Sequence, residues 1–147
     1  MDTGAPMPHI ILTADNRDLM CAYIVSEGKI EHPSKEEYAV VIFHGVTQFT
    51  FGYPNDEVLG AQPLYNLGVK FYAFNIIENS PYLKELGRRN STIFPGSEGQ
   101  YTQRKHFLVA FHDETLEVIC QDIAFLGQTE ASSGKDAINI IMAEQQH

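Results

Sequence analysis

The sequence is poor in basic residues and in long apolar runs. It carries 10 Lys and Arg against 19 Asp and Glu, a formal net charge of -9. Nucleic-acid binders need clustered cations for phosphates, and anionic membranes attract the same cations. The longest apolar stretch, Tyr38 to Phe43, is far shorter than the roughly 20 residues of a membrane helix. We therefore expect neither a nucleic-acid nor a membrane partner.

Cysteine is also scarce. The two cysteines, Cys21 and Cys120, lie far apart, each within an apolar strand pattern. The segment from Met1 to Pro8 lacks both the basic start and the long apolar region of a signal peptide. We interpret the cysteines as buried, reduced thiols and expect a cytoplasmic protein.

Several sequence motifs of known chemistry are missing. There is no glycine-rich phosphate loop, since Ser133-Gly134-Lys135-Asp136 lacks the leading glycine spacing. Paired cysteines at zinc spacing, an HExxH helix and a GxSxG turn are absent as well. The sequence therefore indicates no cofactor and no metal.

Apolar residues are abundant enough for one ordered core. They make up 44% of the 147 residues, with nine Phe and seven Tyr. A chain of this length buries roughly two thirds of its unfolded surface, which is typical of a single domain. We expect a loose leader over 1–8, one domain over 9–126, and over 127–147 a serine-rich linker to residue 134 followed by a helix or tail.

Strand patterns dominate that domain. Ser80 and Pro81 are typical of a helix start, so a short helix is predicted over 81–89, followed by polar loop over 91–104. Ile138, Ile141 and Met142 repeat at helical spacing near the C-terminus. The predicted strands are 9–14, 19–26, 38–46, 48–53, 69–77 and both arms of a hairpin over 105–123. The predicted fold is α+β, an antiparallel sheet of about six or seven strands, curved or barrel-like, with one or two helices.

The hairpin from Lys105 to Ile123 is the clearest single element. A turn over 112–115 would place Phe111 opposite Leu116 and separate two faces. The apolar face comprises Phe107, Val109, Phe111, Leu116, Val118 and Cys120. At roughly 1.5–3 kcal/mol for each large side chain buried, this face must pack on the core.

The opposite face of the hairpin holds the best polar cluster. It contains His106, His112, Thr115, Glu117 and Gln121, with His112 and Glu117 as diagonal neighbours. A histidine oriented by a carboxylate suits acid–base catalysis, so we name His112, Glu117 and His106 as candidate catalytic residues. A third ligand would make it a metal site, and a solvent-facing cross-strand pair is the alternative.

Two further features are candidate ligand-binding groups. His44 shares its strand face with Tyr38 and Val40, which favours a buried core histidine with one hydrogen bond. Asn55, Asp56 and Glu57 follow Pro54 in a turn, where such residues usually bond their own backbone. Both features join the candidate site only if the fold brings them to the hairpin.

Three strings resemble a group of small bacterial proteins of uncharacterised function. They are Gly52-Tyr53-Pro54-Asn55-Asp56-Glu57, Asn79-Ser80-Pro81, and His106 with the segment from Phe111 to Glu117. These proteins carry a GxPNDE turn and an FHDxTxE hairpin, and the resemblance covers residues 40–125. It implies no activity or ligand and directs attention to the two turns.

Three functions are compatible with these patterns. The first is an acidic binding or inhibitor-type module that occupies a basic protein surface. The second is a small enzyme or ligand-binding domain with His112, Glu117 and His106 at its site. The third is an assembly subunit that forms a homo-oligomer through the Ile138, Ile141 and Met142 stripe. Composition favours the first.

Overall fold

The computed structural model describes residues 8–13, 15–25, 35–52, 74–111 and 114–146. Within these ranges, eight strands form two antiparallel sheets, accompanied by three helices, which confirms the predicted α+β class. The sheets are separate and open, so the barrel-like alternative is wrong, and the described strands exceed the predicted six or seven. Within these ranges no helix is long and apolar enough to cross a membrane.

The first sheet has the strand order β1-β2-β3-β8. Its strands are β1 (His9–Thr13), β2 (Asp18–Ile24), β3 (Glu36–His44) and β8 (Asp122–Ala131). The pairing of β3 with β8 shifts between Val40 and Val41, because Val41 faces Phe125 while Val40 faces Gly127. Gly127 has φ +146°, a backbone conformation that glycine tolerates, and β8 bulges there.

The second sheet has the order β4-β7-β6-β5. Its strands are β4 (Gln48–Gly52), β5 (Phe74–Ile76), β6 (Lys105–Ala110) and β7 (Thr115–Cys120). β6 and β7 are the arms of the predicted hairpin, and β5 and β4 flank them. This arrangement brings the residues just after β5 beside the start of β6.

The main core lies between the two sheets. Alternate side chains of β2 and β3 face alternate side chains of β6 and β7 in one buried cluster. Aromatic rings join the layers, with Tyr23 6.0 Å from Phe111 and Phe43 5.8 Å from Phe107 between centroids. The predicted apolar face of the hairpin is therefore confirmed as part of the core. It includes Phe107, Val109, Phe111, Leu116, Val118 and Cys120.

Helices cover the outer side of the first sheet and approach the second. α3 (Gly134–Gln145) packs Ile138 and Ile141 against the first sheet, on the face opposite the main core. Ser133 accepts a hydrogen bond from the Asp136 N–H and so caps α3. α1 (Pro81–Ile93) begins at Pro81 with Ser80 as its cap, as predicted, but extends past Arg89. α2 (Gly99–Thr102) follows in the predicted loop.

The C-terminal segment differs from its prediction. The supposed linker over 127–134 is wrong in its first half, because β8 continues to Ala131 and keeps its pairing with β3. Ile138 and Ile141 are each 2% exposed, since the first sheet already covers the helical stripe. The assembly hypothesis therefore loses the free apolar stripe on which it depended.

The hairpin register also differs. Ala110 faces Thr115 and Val109 faces Leu116, so each β6 residue pairs two positions earlier on β7 than predicted. The Phe111 N–H donates to the Glu114 carbonyl oxygen at 2.9 Å. A shift of two residues keeps every side chain on its face but changes which residues are neighbours.

Candidate functional site

His106 is the central group of the candidate site. It lies on the outer face of β6, beside Leu108, and its side chain is 0% exposed. The observed register places Ile119 opposite His106 and Glu117 opposite Leu108. His106 and Glu117 are therefore diagonal neighbours, and the His106 Nε2 to Glu117 Oε1 distance is 2.7 Å.

Ser80 completes the arrangement from the other side of the ring. β5 pairs with β6, and the Ile77 N–H donates to the His106 carbonyl oxygen at 2.8 Å. Asn79, with φ +52°, then turns the chain so that Ser80 starts α1. Ser80 Oγ lies 2.6 Å from His106 Nδ1, and the residue is 3% exposed.

One arrangement of protons satisfies these contacts. Ser80 Oγ accepts the Leu83 N–H at 3.2 Å, so its own hydroxyl hydrogen can donate to His106 Nδ1. The Nε2–H then donates to the Glu117 carboxylate, which satisfies every polar group of the ring. We call Ser80, His106 and Glu117 the relay. It is a hydroxyl, an imidazole and a carboxylate in sequence, the order of a nucleophile with its base and orienting group.

Two cavities lie at the ends of the relay. The first, of about 300 Å³, is lined by Ser80, His106 and neighbouring residues of α1 and β6. The second, of about 150 Å³, is lined by Glu117, Tyr82 and residues of β4. The Glu117 side chain is 26% exposed. A ligand in the first cavity would therefore meet the hydroxyl end, while the carboxylate end meets solvent.

Tyr82 lines the second cavity next to the imidazole of His106. Its ring centroid is 6.0 Å from that of His106, and its hydroxyl donates to Gln48 Oε1 at 2.7 Å. That bond ties the first turn of α1 to β4 at the edge of the second sheet. α1 is thus attached to the sheet on both sides of the imidazole.

One cation that lines the first cavity, Lys105, affects a nearby carboxylate. Lys105 Nζ lies 2.7 Å from Asp122 Oδ1. That hydrogen bond, aided by one from the Ile123 N–H, lowers the pKa of Asp122 below its usual value. Asp122 therefore stays ionised and partners Lys105 at neutral pH.

The predicted site residues have different outcomes. His106 and Glu117 do come together, but with each other, whereas the predicted pairing was between His112 and Glu117. His112 lies outside the described residues, as do Asn55, Asp56 and Glu57.

The position of His44 contradicts a further prediction. Its side chain is 46% exposed at the end of β3, so the interpretation as a buried core histidine is wrong. The predicted single hydrogen bond exists, between His44 Nδ1 and Asp18 Oδ1 at 3.2 Å. The strand ends at His44, which explains why the side chain leaves the core.

Ser80 was missed as a site residue. Its sequence signal, a serine before proline, correctly predicted a helix cap. The bond joins Ser80 to His106, 26 residues apart, and depends on the pairing of β5 with β6. Strand order of this kind leaves no local pattern in the sequence.

Neither a metal site nor a known relative points to a function. Among the described residues, no group of three or more His, Cys, Asp or Glu side chains could hold a metal ion. Comparison with family models, with curated proteins and with solved structures finds no match to this chain. The functional argument therefore depends on the geometry of the relay and its cavities.

Proposed function

We propose that this protein is a small enzyme of the hydrolase type, with Ser80 as nucleophile, His106 as general base and Glu117 as the group that orients His106. The observation that supports this most directly is the unbroken relay, with bonds of 2.6 and 2.7 Å, at the wall of a cavity of about 300 Å³. A pocket of that size is at the small end of ligand sites.

The proposed reaction is hydrolysis of an ester. Ser80 Oγ attacks the carbonyl carbon, and its proton passes to His106 Nδ1 while Glu117 stabilises the imidazolium. The imidazolium then gives this proton to the departing alcohol, which leaves the acyl group on Ser80. Water attacks the acyl group and loses a proton to Nδ1, and that proton returns to Ser80 Oγ as the acid departs.

The helix start supports the nucleophile. The Leu83 N–H already donates to Ser80 Oγ, so negative charge that develops on this oxygen meets a donor in place. α1 has 13 residues and its dipole also favours negative charge at this end. Both features favour negative charge on Ser80 Oγ, while the burial of the residue, which is 3% exposed, disfavours it.

A fluorophosphonate probe tests the proposal without knowledge of the substrate. Ser80 Oγ should bond to phosphorus with loss of fluoride, and peptide mass spectrometry should locate the adduct on Ser80. Ser80→Ala should abolish the adduct, and His106→Gln should slow its formation by about 10²-fold or more, since a positioned base contributes about 10²–10⁴.

The control is Ser132→Ala, at an exposed serine beside α3. This variant should label at the wild-type rate. Thermal unfolding of each variant shows whether the fold is retained. Absence of an adduct on Ser80 in the folded wild type, or equal rates with and without His106, would refute the enzyme proposal.

A second candidate is the acidic binding module. The net charge of -9 supports a basic protein surface as its partner. Binding to such a partner should weaken steeply with salt, and pulldown from a lysate followed by a salt series measures this. Salt-insensitive binding would contradict it.

We also infer a cytoplasmic location. Cys21 and Cys120 are both buried and unpaired, which supports a reducing compartment. Fractionation of the native cells would test this location. Homo-oligomer formation stays a prediction, to be tested by mass in solution.

A further inference from the structure

The first cavity concentrates positive charge in an acidic protein. Lys84, Arg104 and Lys105 line it, three of the chain's 10 Lys and Arg residues. Glu78 is the one acidic side chain among the lining residues that the structure describes. The cavity therefore differs in sign from the chain as a whole, whose net charge is -9.

The three cations differ in how far their charge is compensated. Lys105 is paired with Asp122 at 2.7 Å, so its charge is largely cancelled. Arg104 Nη1 donates to the Gly45 carbonyl oxygen at 3.2 Å, which positions the guanidinium and leaves its charge in place. Lys84 forms no ion pair with any residue of the described ranges.

A ligand in this cavity would meet the relay and the cations together. Lys84 is one turn into α1 from Ser80, and Arg104 directly precedes β6, which carries His106. Arg104 offers a planar fork of donors suited to phosphate or carboxylate, and Lys84 adds a flexible charge. The positive end of the α1 dipole acts in the same direction.

We propose that the first cavity binds a small anionic molecule, whose phosphate or carboxylate group is held by Arg104 and Lys84. This inference rests on the proposed function only where it concerns hydrolysis. There the anionic group would anchor the substrate while the scissile bond of the substrate lies at Ser80 Oγ. As an anion-binding site, the cavity stands without the enzyme.

Titration with inorganic phosphate tests the site. Two-dimensional ¹H–¹⁵N NMR at constant ionic strength should show saturable shifts at residues around the cavity, from Glu78 to Lys84 and from Arg104 to His106. A parallel titration with succinate distinguishes phosphate from carboxylate as the preferred group. Lys84→Met and Arg104→Met should each weaken the preferred anion about tenfold, equivalent to about 1.4 kcal/mol.

The matched control is Lys135→Met. Lys135 is exposed on α3, at the outer side of the first sheet, so its loss changes net charge equally without touching the cavity. Its affinity should equal that of the wild type. Shifts spread over all lysines and arginines, or equal weakening in the control, would overturn the site, because both indicate nonspecific charge attraction.

Ser80→Ala separates this inference from the enzyme proposal. The variant should lose the fluorophosphonate adduct and, with thermal unfolding showing that the fold is retained without the α1 cap, still bind the anion through Arg104 and Lys84. Anion binding in a wild-type protein that forms no adduct would support the site and refute the enzyme. Labelling of Ser80 without saturable binding of either anion would support the enzyme and overturn the anionic substrate.

Discussion

The outer faces of the two sheets contrast sharply. The first sheet presents Val40 and Ile42 to α3, which covers them with Ile138 and Ile141. The outer face of the second sheet carries Leu108, but also His106 and Glu117. His106 on this face contacts Ser80 at the start of α1. Both faces follow the same alternation along their strands, yet one buries apolar area and the other a polar relay. We infer that the first face supplies stability and the second supplies function.

The largest expected effect comes from truncating a side chain of α3 that packs against the first sheet. Ile141→Ala should lower the free energy of unfolding by about 2–5 kcal/mol, because it leaves a cavity against the first sheet. Denaturant unfolding measures the loss. Phe125→Ala is the control, since Phe125 is apolar but 54% exposed on β8. If both variants cost the same, α3 does not stabilise the first face.

A second test presses α3 away from the sheet. A Cβ at Gly134 would clash with His9 Cβ, so Gly134→Ala forces the start of the helix outward. Overpacking of this kind costs about 1–3 kcal/mol. Gly99→Ala in α2 is the matched control, because nothing lies within 4 Å of its added Cβ. A Gly134→Ala protein as stable as Gly99→Ala would contradict the close contact.

The stability of the protein should respond differently to one and to two substitutions on the polar face of the second sheet. His106→Leu leaves Ser80 and Glu117 without their partner and should cost about 1–3 kcal/mol. The double variant with Glu117→Leu removes the unpaired carboxylate and should recover the part of that loss that Glu117 causes, while Ser80, which is 3% exposed, still lacks its partner. A double variant less stable than His106→Leu would contradict this, because Glu117 would then stabilise the fold without His106.

The smallest effect concerns the two cysteines in the core between the sheets. Burial raises the pKa of the Cys21 thiol from 9.0 to about 12 and that of Cys120 to about 11. The stability that these neutral thiols contribute is present in full below pH 9 and is lost as pH rises through about 11 and 12. At pH 8 both should resist iodoacetamide in the native protein and react in denaturant, as mass spectrometry would show. Rapid native labelling would contradict their burial.

The sequence predicted which face of a strand each side chain lies on better than it predicted which residues are neighbours across the strands. An error of two residues in the hairpin register keeps Phe107 and Val118 in the core, because side chains alternate with a period of two. The same error replaces His106 with His112 as the partner assigned to Glu117. Ser80 illustrates a second limit, since its contact depends on the pairing of β5 with β6. The local sequence predicted that Ser80 caps a helix, whereas the long-range strand pairing placed it against His106.

The bulge in β8 has a consequence for association between molecules. β8, with ten residues, is the longest of the strands in the described part of the chain, and it lies at the edge of the first sheet. A long straight edge offers unpaired backbone groups to any passing strand and promotes aggregation. The interruption at Gly127 bends this edge and increases its twist. A second chain could therefore form no uninterrupted ladder along β8, which opposes edge-to-edge association at this strand.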